Sequence, residues 1–182
     1  PSGLAASPEG CAVSARIRTL AVTCAATSML LGTIVATPSP LYIWNRSESV
    51  PVGLYRVQPA SNYYVTQLLA VRPPEPLATF LDLNGYLPTG VPMLKRVLAL
   101  PGQTVCRDGS TISVDGIEMG KAQTRDSRGR PLPIWQGCDL VGEGQLFLMN
   151  WQSAVSLDGR YFGLTPSTAV VGRAHPVWTR ED

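Results

Sequence analysis

Proline and glycine interrupt this sequence at close intervals, and this spacing constrains the fold more than any other feature. The chain has 182 residues, with 16 prolines and 17 glycines spread along it. Short apolar runs alternate with turn signals such as Asp108-Gly109 and Asp115-Gly116, a pattern typical of short strands joined by hairpins. The sequence therefore predicts a mainly β domain, folded as a sheet or barrel, and argues against a helical bundle.

The flanking turn residues also predict where the elements begin and end. We expect a short helix over Pro76–Asn84 and an exposed loop over Lys121–Pro133. The predicted strands are Gly53–Val57, Tyr63–Arg72, Met93–Leu100, Thr104–Cys106, Thr111–Val114, Gly144–Met149 and Ala169–Trp178.

Residues 19–37 form an uncharged stretch that follows Arg16 and Arg18. A helix of 19 residues just spans a hydrocarbon core, and arginines on its N-terminal side predict a cytoplasmic N-terminus. We therefore expect a cytoplasmic segment over residues 1–18, a transmembrane anchor over 19–37 and a periplasmic domain over 38–182. A cleaved signal peptide and a buried helix are the alternatives.

The charge and the cysteines exclude several kinds of site. The net charge is +2 and no block of basic residues is present, which argues against nucleic acid as a partner. The chain has four cysteines without CxxC spacing and one histidine, so the sequence predicts no metal site. Cys106 and Cys138 could form a disulfide if their part of the chain lies in an oxidising compartment.

Lys95 is unusual because it lies inside the apolar run Met93–Leu100. The chain has only two lysines, Lys95 and Lys121, among its 15 basic residues. A lysine held among apolar side chains loses hydration of its charged form, so its pKa falls and the neutral amine can act as a general base. The alternative is a snorkelling lysine on a half-exposed strand.

Other catalytic arrangements lack the residues that they need. His175 is the one histidine, and no Gly-x-Ser-x-Gly or Ser-x-x-Lys motif occurs. A cysteine–histidine pair that uses Cys106 or Cys138 has no supporting spacing. A serine that is activated by a lysine remains as a variant of the catalytic triad.

Three ordered motifs resemble those of type I signal peptidases. The run from Met93 to Gly102 resembles their Lys-Arg-(x)3-Leu-Pro-Gly box, and the run from Ser156 to Gly163 resembles their Ser-x-Asp-Ser-Arg-Tyr-x-Gly box. Ser49 follows the predicted anchor, where their nucleophile would lie. Two details, the Ser-x-Pro-x-Gly-Leu-Tyr run from Ser49 and Gly159 in place of their serine, resemble the TraF group of conjugative-transfer peptidases.

The resemblance implies a role for each matching residue. Ser49 would be the nucleophile and Lys95 the general base, although 46 positions separate them. The Ser47 hydroxyl would contribute to the oxyanion hole, with an ordinary turn serine as the alternative. Ser156 would orient the Lys95 amine, and Asp158 and Arg160 would pair to brace the site, unless they form only a surface ion pair.

The resemblance implies a membrane-anchored serine endopeptidase that needs no cofactor. It would lie in the inner membrane as a single-pass protein, with its catalytic domain in the periplasm. Its substrate would be a conjugative pilin precursor, which it would cleave and could also cyclise, and other transfer proteins would be further partners. A general type I signal peptidase and a non-catalytic assembly component of the transfer apparatus are the alternative functions.

Overall fold

The structure, a computed structural model, describes residues 9–35 and 41–180. The chain divides into two compact units between Ser39 and Pro40. The first contains one helix, α1 (Glu9–Val35), which begins before the predicted start at Thr19. Positions 36 and 37 of the predicted anchor, and the predicted helix stop at Pro38–Pro40, lie outside the described residues. In the described part of the chain, no helix has the length and apolarity needed to span a membrane.

The second unit is mainly β, which confirms the predicted fold class. It contains two short helices, α2 (Leu77–Leu83) and α3 (Gly159–Phe162), and a 3-10 turn over Ser167–Ala169. Its strands are β1 (Tyr42–Asn45), β2 (Gly53–Gln58), β3 (Leu68–Val71), β4 (Met93–Ala99), β5 (Thr104–Asp108), β6 (Thr111–Val114), β7 (Ile117–Lys121), β8 (Gly137–Leu140), β9 (Gln145–Leu148), β10 (Leu164–Pro166) and β11 (Val170–Thr179).

The strands form two antiparallel sheets. The larger has seven strands in the order β1-β2-β11-β3-β4-β9-β10, and the smaller has four in the order β7-β6-β5-β8. The central strands β3 and β4 are buried along most of their length, because apolar clusters cover both of their faces. This burial accounts for the continuous apolar runs that mark these two strands in the sequence.

The smaller sheet contains a disulfide between Cys106 and Cys138, which lie directly opposite each other on β5 and β8. Its strands β5, β6 and β7 form two consecutive hairpins, and the second turns at Asp115-Gly116, as the sequence predicts. Asp115 takes a positive φ of 50° and Gly116 one of 81°, the combination that a tight hairpin turn requires. The two hairpins thus connect β5, β6 and β7, and the disulfide connects β5 to β8.

The structure corrects several predicted boundaries. The strand predicted over Tyr63–Arg72 begins only at Leu68, because Thr66 has a left-handed φ of 79° and the amide of Tyr64 bonds to the side chain of Gln67. Lys121 ends β7 and does not belong to the loop that follows. Strands β1, β7, β8 and β10 were not predicted, since they lie at sheet edges where apolar alternation is weak.

Candidate active site

The predicted nucleophile Ser49 lies in the turn between β1 and β2, with its hydroxyl 2.9 Å from that of Ser47. The side chain of Asn45 organises this turn. Its Nδ2 donates to the carbonyls of Ser47, Val50 and Pro51 at 2.8, 3.0 and 3.1 Å. Its Oδ1 accepts from both the amide and the hydroxyl of Ser47 at 3.2 Å. Asn45 therefore fixes the backbone that carries both serines.

Two further contacts attach this turn to the core. The hydroxyl of Tyr55 donates to the carbonyl of Pro51 at 2.6 Å, and Val50 packs in an apolar cluster with Leu68 and Leu94. Ser49 is half-buried, whereas Ser47 is exposed. Ser49 therefore lies between the exposed Ser47 and the buried Val50, and its side chain remains partly accessible.

Lys95 lies in the middle of β4, opposite Leu69 of β3, and its side chain is buried. Its Nζ donates to the Ser156 hydroxyl at 2.9 Å. Ser156 is itself buried and lies in the loop between β9 and α3. The structure therefore brings Lys95 and Ser156 together, although 61 positions separate them in the sequence.

The surroundings of Lys95 favour its neutral form. Burial lowers the pKa of Lys95 from 10.5 to about 8, against the opposing charge of Asp158 and with a smaller contribution from Arg160. Desolvation dominates because, over residues 9–35 and 41–180, the ammonium has no carboxylate bonded to it and only a hydroxyl as its hydrogen-bond partner. Lys95 is thus buried and not the half-exposed, snorkelling lysine that the sequence left open.

Asn150 holds the backbone of β4 next to Lys95, a role that the sequence did not predict. Its Oδ1 accepts from the amide of Arg96 at 2.9 Å, and its Nδ2 donates to the carbonyl of Leu94 at 3.1 Å. The amide of Asn150 in turn donates to Asp158 at 3.0 Å. A polar residue directly after the apolar run from Leu146 to Met149 is the signal that could have indicated this position.

Asp158 and Arg160 form a buried ion pair and not a surface one. Arg160 donates through Nε and Nη2 to the two carboxylate oxygens, each at 2.9 Å. The same Nη2 donates to the carbonyl of Ser153 at 2.7 Å and to that of Ser156 at 3.3 Å. Both side chains are buried. This pair therefore ties the loop that carries Ser156 to the start of α3, where Asp158 also caps the helix.

Gly159, the first residue of α3, lies very close to β9. A Cβ at this position would lie 2.7 Å from the carbonyl oxygen of Leu148 and 2.7 Å from the ring of Phe147. A serine, the residue that type I signal peptidases have here, does not fit without a shift of β9. The glycine that distinguishes the TraF-like motif is therefore a packing requirement in this chain.

The predicted site residues fall into two groups. The first is the pair Ser47 and Ser49, and the second is Lys95 with Ser156, Asp158 and Arg160. Among the described residues, no hydrogen bond joins Ser49 to Lys95. Apo enzymes often form their catalytic hydrogen bonds only when substrate binds. Over residues 9–35 and 41–180, no three His, Cys, Asp or Glu side chains are grouped to hold a metal ion.

Known proteins resemble this chain over most of its length. A family model described as signal peptidase, peptidase S26, matches residues 14–179. The conjugal transfer protein TraF of Agrobacterium fabrum is 37% identical over 149 residues, which cover 76% of this chain and 82% of that protein. The plasmid transfer protein TraF of Escherichia coli is 33% identical over 146 residues, which cover 74% of this chain and 81% of that protein.

A solved structure is a more distant match. The crystal structure of a signal peptidase I from Enterococcus faecalis has a TM-score of 0.38 and 20% sequence identity. The match covers 62% of this chain and 97% of that one.

Proposed function

Because the chain belongs to the signal peptidase family, peptidase S26, we propose that it is a serine endopeptidase in which Ser49 is the nucleophile and Lys95 the general base. One observation carries this assignment. Lys95 is buried, is bonded to a hydroxyl alone within the described part of the chain, and has a pKa of about 8. A base with this pKa is neutral in about a tenth of molecules at neutral pH, enough to accept a proton from serine.

The proposed reaction has two steps. As the Ser49 Oγ attacks the scissile carbonyl carbon, its proton moves to the Lys95 Nζ, and the Ser47 hydroxyl donates to the oxyanion that forms. The tetrahedral intermediate expels the amine, which takes the proton from Nζ, and an acyl-enzyme remains. Water then resolves the acyl-enzyme to a linear product. Attack by the amino terminus of the substrate would instead give a cyclic one.

The supporting residues keep Nζ in place for these proton transfers. Ser156 holds the amine without adding charge, and the Asp158–Arg160 pair fixes the loop that carries Ser156. Asp158 accepts from the Asn150 amide and from Arg160, and no described hydrogen bond joins it to Lys95. We therefore assign Asp158 a bracing role and not a direct one.

The similarity to the TraF transfer proteins supports a role in conjugative transfer, and the substrate that we propose is the pilin precursor that the resemblance to the TraF group implies. The test is to co-express the full chain with the pilin precursor of its own transfer system and to measure the intact mass of the pilin. We expect a shorter pilin with the wild type and the unprocessed mass with Lys95→Ala. A cyclic product is lighter than the linear one by one water.

Lys121→Ala is the matched control, because it removes the other lysine of the chain from an exposed strand end. It should process the pilin normally. Normal processing by Lys95→Ala would contradict the proposed dyad and favour a non-catalytic assembly component. A general signal peptidase, the function in the family's description, would be required for growth, whereas a pilin peptidase is required only for conjugative transfer.

The proposal also includes a membrane anchor and a periplasmic catalytic domain. Its support is that residues 19–35 carry no charge and that several apolar side chains of α1 are exposed, including Leu20, Met29 and Leu31. Membrane fractionation of the full chain, compared with a chain that begins at Pro40, tests this location. Recovery of the full chain in the fraction without membranes after cell lysis would refute the anchor.

A further inference from the structure

A cleft of about 390 Å³ is lined by residues that lie close in the chain to the proposed catalytic residues. Neither Ser49 nor Lys95 lines it, but Pro51 and Arg96, which closely follow them in the chain, do. Further wall residues come from β11 and from the turn before β3, and they include Gln67 and Arg173. The proposed peptidase chemistry uses none of these side chains.

Three residues that line this cleft have buried donors without hydrogen-bond partners among the described residues. The unpaired atoms are Nε2 of Gln67, Nε of Arg96 and Nε of Arg173. Gln67 is only 3% exposed, and its Oε1 already accepts from the amide of Tyr64 at 3.2 Å. Buried donors are normally paired, so three orphans around one cleft indicate an acceptor that is supplied from outside.

The charge around the cleft favours an anionic acceptor. Its wall contains Arg96 and Arg173 but no aspartate or glutamate. Neither arginine forms an ion pair within the described residues, whose only salt bridges are those of Arg130 and Arg160. A guanidinium matches the planar geometry of a carboxylate, and its hydrogen bonds to one are short and strong.

The backbone of Thr66 holds the side chain of Arg96 in place. Thr66, a β-branched residue, has a left-handed φ of 79°, a conformation that costs free energy and clusters at functional sites. Its carbonyl accepts from Nη1 of Arg96 at 3.1 Å, and its amide donates to the carbonyl of Val97 at 2.8 Å. The strained turn thus fixes one end of the guanidinium and leaves Nε unpaired.

We propose that this cleft binds a carboxylate of the peptide substrate, so that Arg96, Arg173 and Gln67 determine specificity. The carboxylate is either an aspartate or glutamate side chain or the free C-terminal carboxylate of the substrate. Since Pro51, which lines the cleft, lies two positions after Ser49 in the turn between β1 and β2, the carboxylate belongs to the part of the peptide near the cleaved bond. This inference rests on the proposed function for the premise that the ligand is a peptide.

The test measures binding to the full chain with Ser49→Ala, so that hydrolysis does not consume the probe. Four alanine-based pentapeptides are titrated by calorimetry. Three of them are blocked at both ends and have alanine, glutamine or glutamate as the central residue. The fourth has a free C-terminal carboxylate. We expect at least one carboxylate peptide to bind at least tenfold more tightly than the neutral peptides, and this peptide identifies the source.

The variants assign the preference to the cleft. Arg173→Gln should abolish the preference for the carboxylate peptide. Arg173→Lys, which keeps the charge but not the forked guanidinium donors, should weaken this preference, and it replaces Arg173→Gln as the test variant if Arg173→Gln does not fold. Gln67→Glu adds a nearly isosteric carboxylate to the cleft and should also abolish it. Arg56→Gln is the matched control, because Arg56 is an exposed arginine of β2 that does not line the cleft. It should keep the preference.

Equal binding of all four peptides would overturn the assignment, and so would an equal loss with Arg56→Gln and Arg173→Gln. These outcomes are separate from failure of the proposed function. If the carboxylate preference is found but Ser49→Ala still processes the pilin, the peptidase assignment fails and the binding site stands. If processing needs Ser49 but the four peptides bind alike, the peptidase assignment stands and the carboxylate site fails.

Discussion

Asn150 holds the backbone on both sides of Lys95, by donating to the carbonyl of Leu94 and accepting from the amide of Arg96. Asn150 is 1% exposed, so Asn150→Ala leaves two backbone groups without partners in a buried place. A loss of roughly 3 kcal/mol in the free energy of unfolding is expected. Urea denaturation measures it.

Asn84→Ala is the control for this substitution, since Asn84 makes one local side-chain bond at the end of α2. It should cost less than about 1 kcal/mol. Equal losses for Asn150→Ala and Asn84→Ala would show that the bonds beside Lys95 carry no special weight.

Lys95 should make the protein less stable below pH 8 than above it. The folded-state pKa is about 8, below the value of 10.5 for an ordinary lysine, so the unfolded state binds more protons between these values. Stability therefore rises with pH through this window and falls as the pH drops. At pH 7, Lys95→Met removes the buried charge and should stabilise the protein by about 3 kcal/mol.

Urea midpoints at pH 7 and pH 10 test this prediction. The difference between wild type and Lys95→Met should shrink at pH 10, where both carry a mostly neutral side chain at this position. Lys121→Met, which removes a lysine from an exposed strand end, is the control for the substitution itself. A constant difference between Lys95→Met and wild type at both pH values would contradict the lowered pKa of Lys95.

The Ser156 hydroxyl should control both the rate and its pH dependence. With the wild type, kcat should rise as the pH increases through about 8, where Lys95 loses its proton. Ser156→Ala removes the hydrogen-bond acceptor that holds the Lys95 ammonium, so kcat should fall at least tenfold and the pKa in the profile should move below 8.

Two controls separate this effect from a general loss of structure. Ser156→Thr keeps a hydroxyl and should restore part of the rate, while Ser113→Ala, in the smaller sheet, should change neither kcat nor the profile. A lower rate with an unshifted profile in Ser156→Ala would mean that Ser156 acts only on the fold.

Gly159 should not tolerate even one added carbon. Because its Cβ would meet a backbone oxygen and an aromatic ring at 2.7 Å, Gly159→Ala should destabilise the domain by roughly 2 kcal/mol. Gly32→Ala is the matched control, since a Cβ there meets nothing within 4 Å. Unchanged thermal unfolding of Gly159→Ala would show that the loop before α3 relaxes freely.

The disulfide should contribute measurably to stability. Cys106 and Cys138 are 32 positions apart, and closing a loop of this length stabilises a folded chain by roughly 3–4 kcal/mol in the chain-entropy account. Replacing both cysteines with serine should lower the urea midpoint accordingly, whereas Cys24→Ser, at an exposed free cysteine, should not. Equal midpoints for wild type and the double variant would exclude a stabilising role.

The sequence alone determined the fold class, because turn signals are local. Asp115-Gly116 requires only its own backbone conformation to end one strand and start the next. The apolar run around Lys95 left a buried and a snorkelling lysine open. Four of its neighbours in β4 are apolar and buried, but the burial of Lys95 itself is seen only in the structure. The ordered motifs that resemble signal peptidases also needed no three-dimensional information.

Only the tertiary structure decided which side chains meet. The partner of the Lys95 side chain and the two partners of the Asn150 side chain lie more than 50 positions away, and such pairs follow from strand order and register, which no local propensity encodes. For the same reason, the sequence does not show that Arg96, Arg173 and Gln67, which lie in three separate segments, come together. Their unpaired donors line one cleft only because β3 lies between β4 and β11 in the sheet.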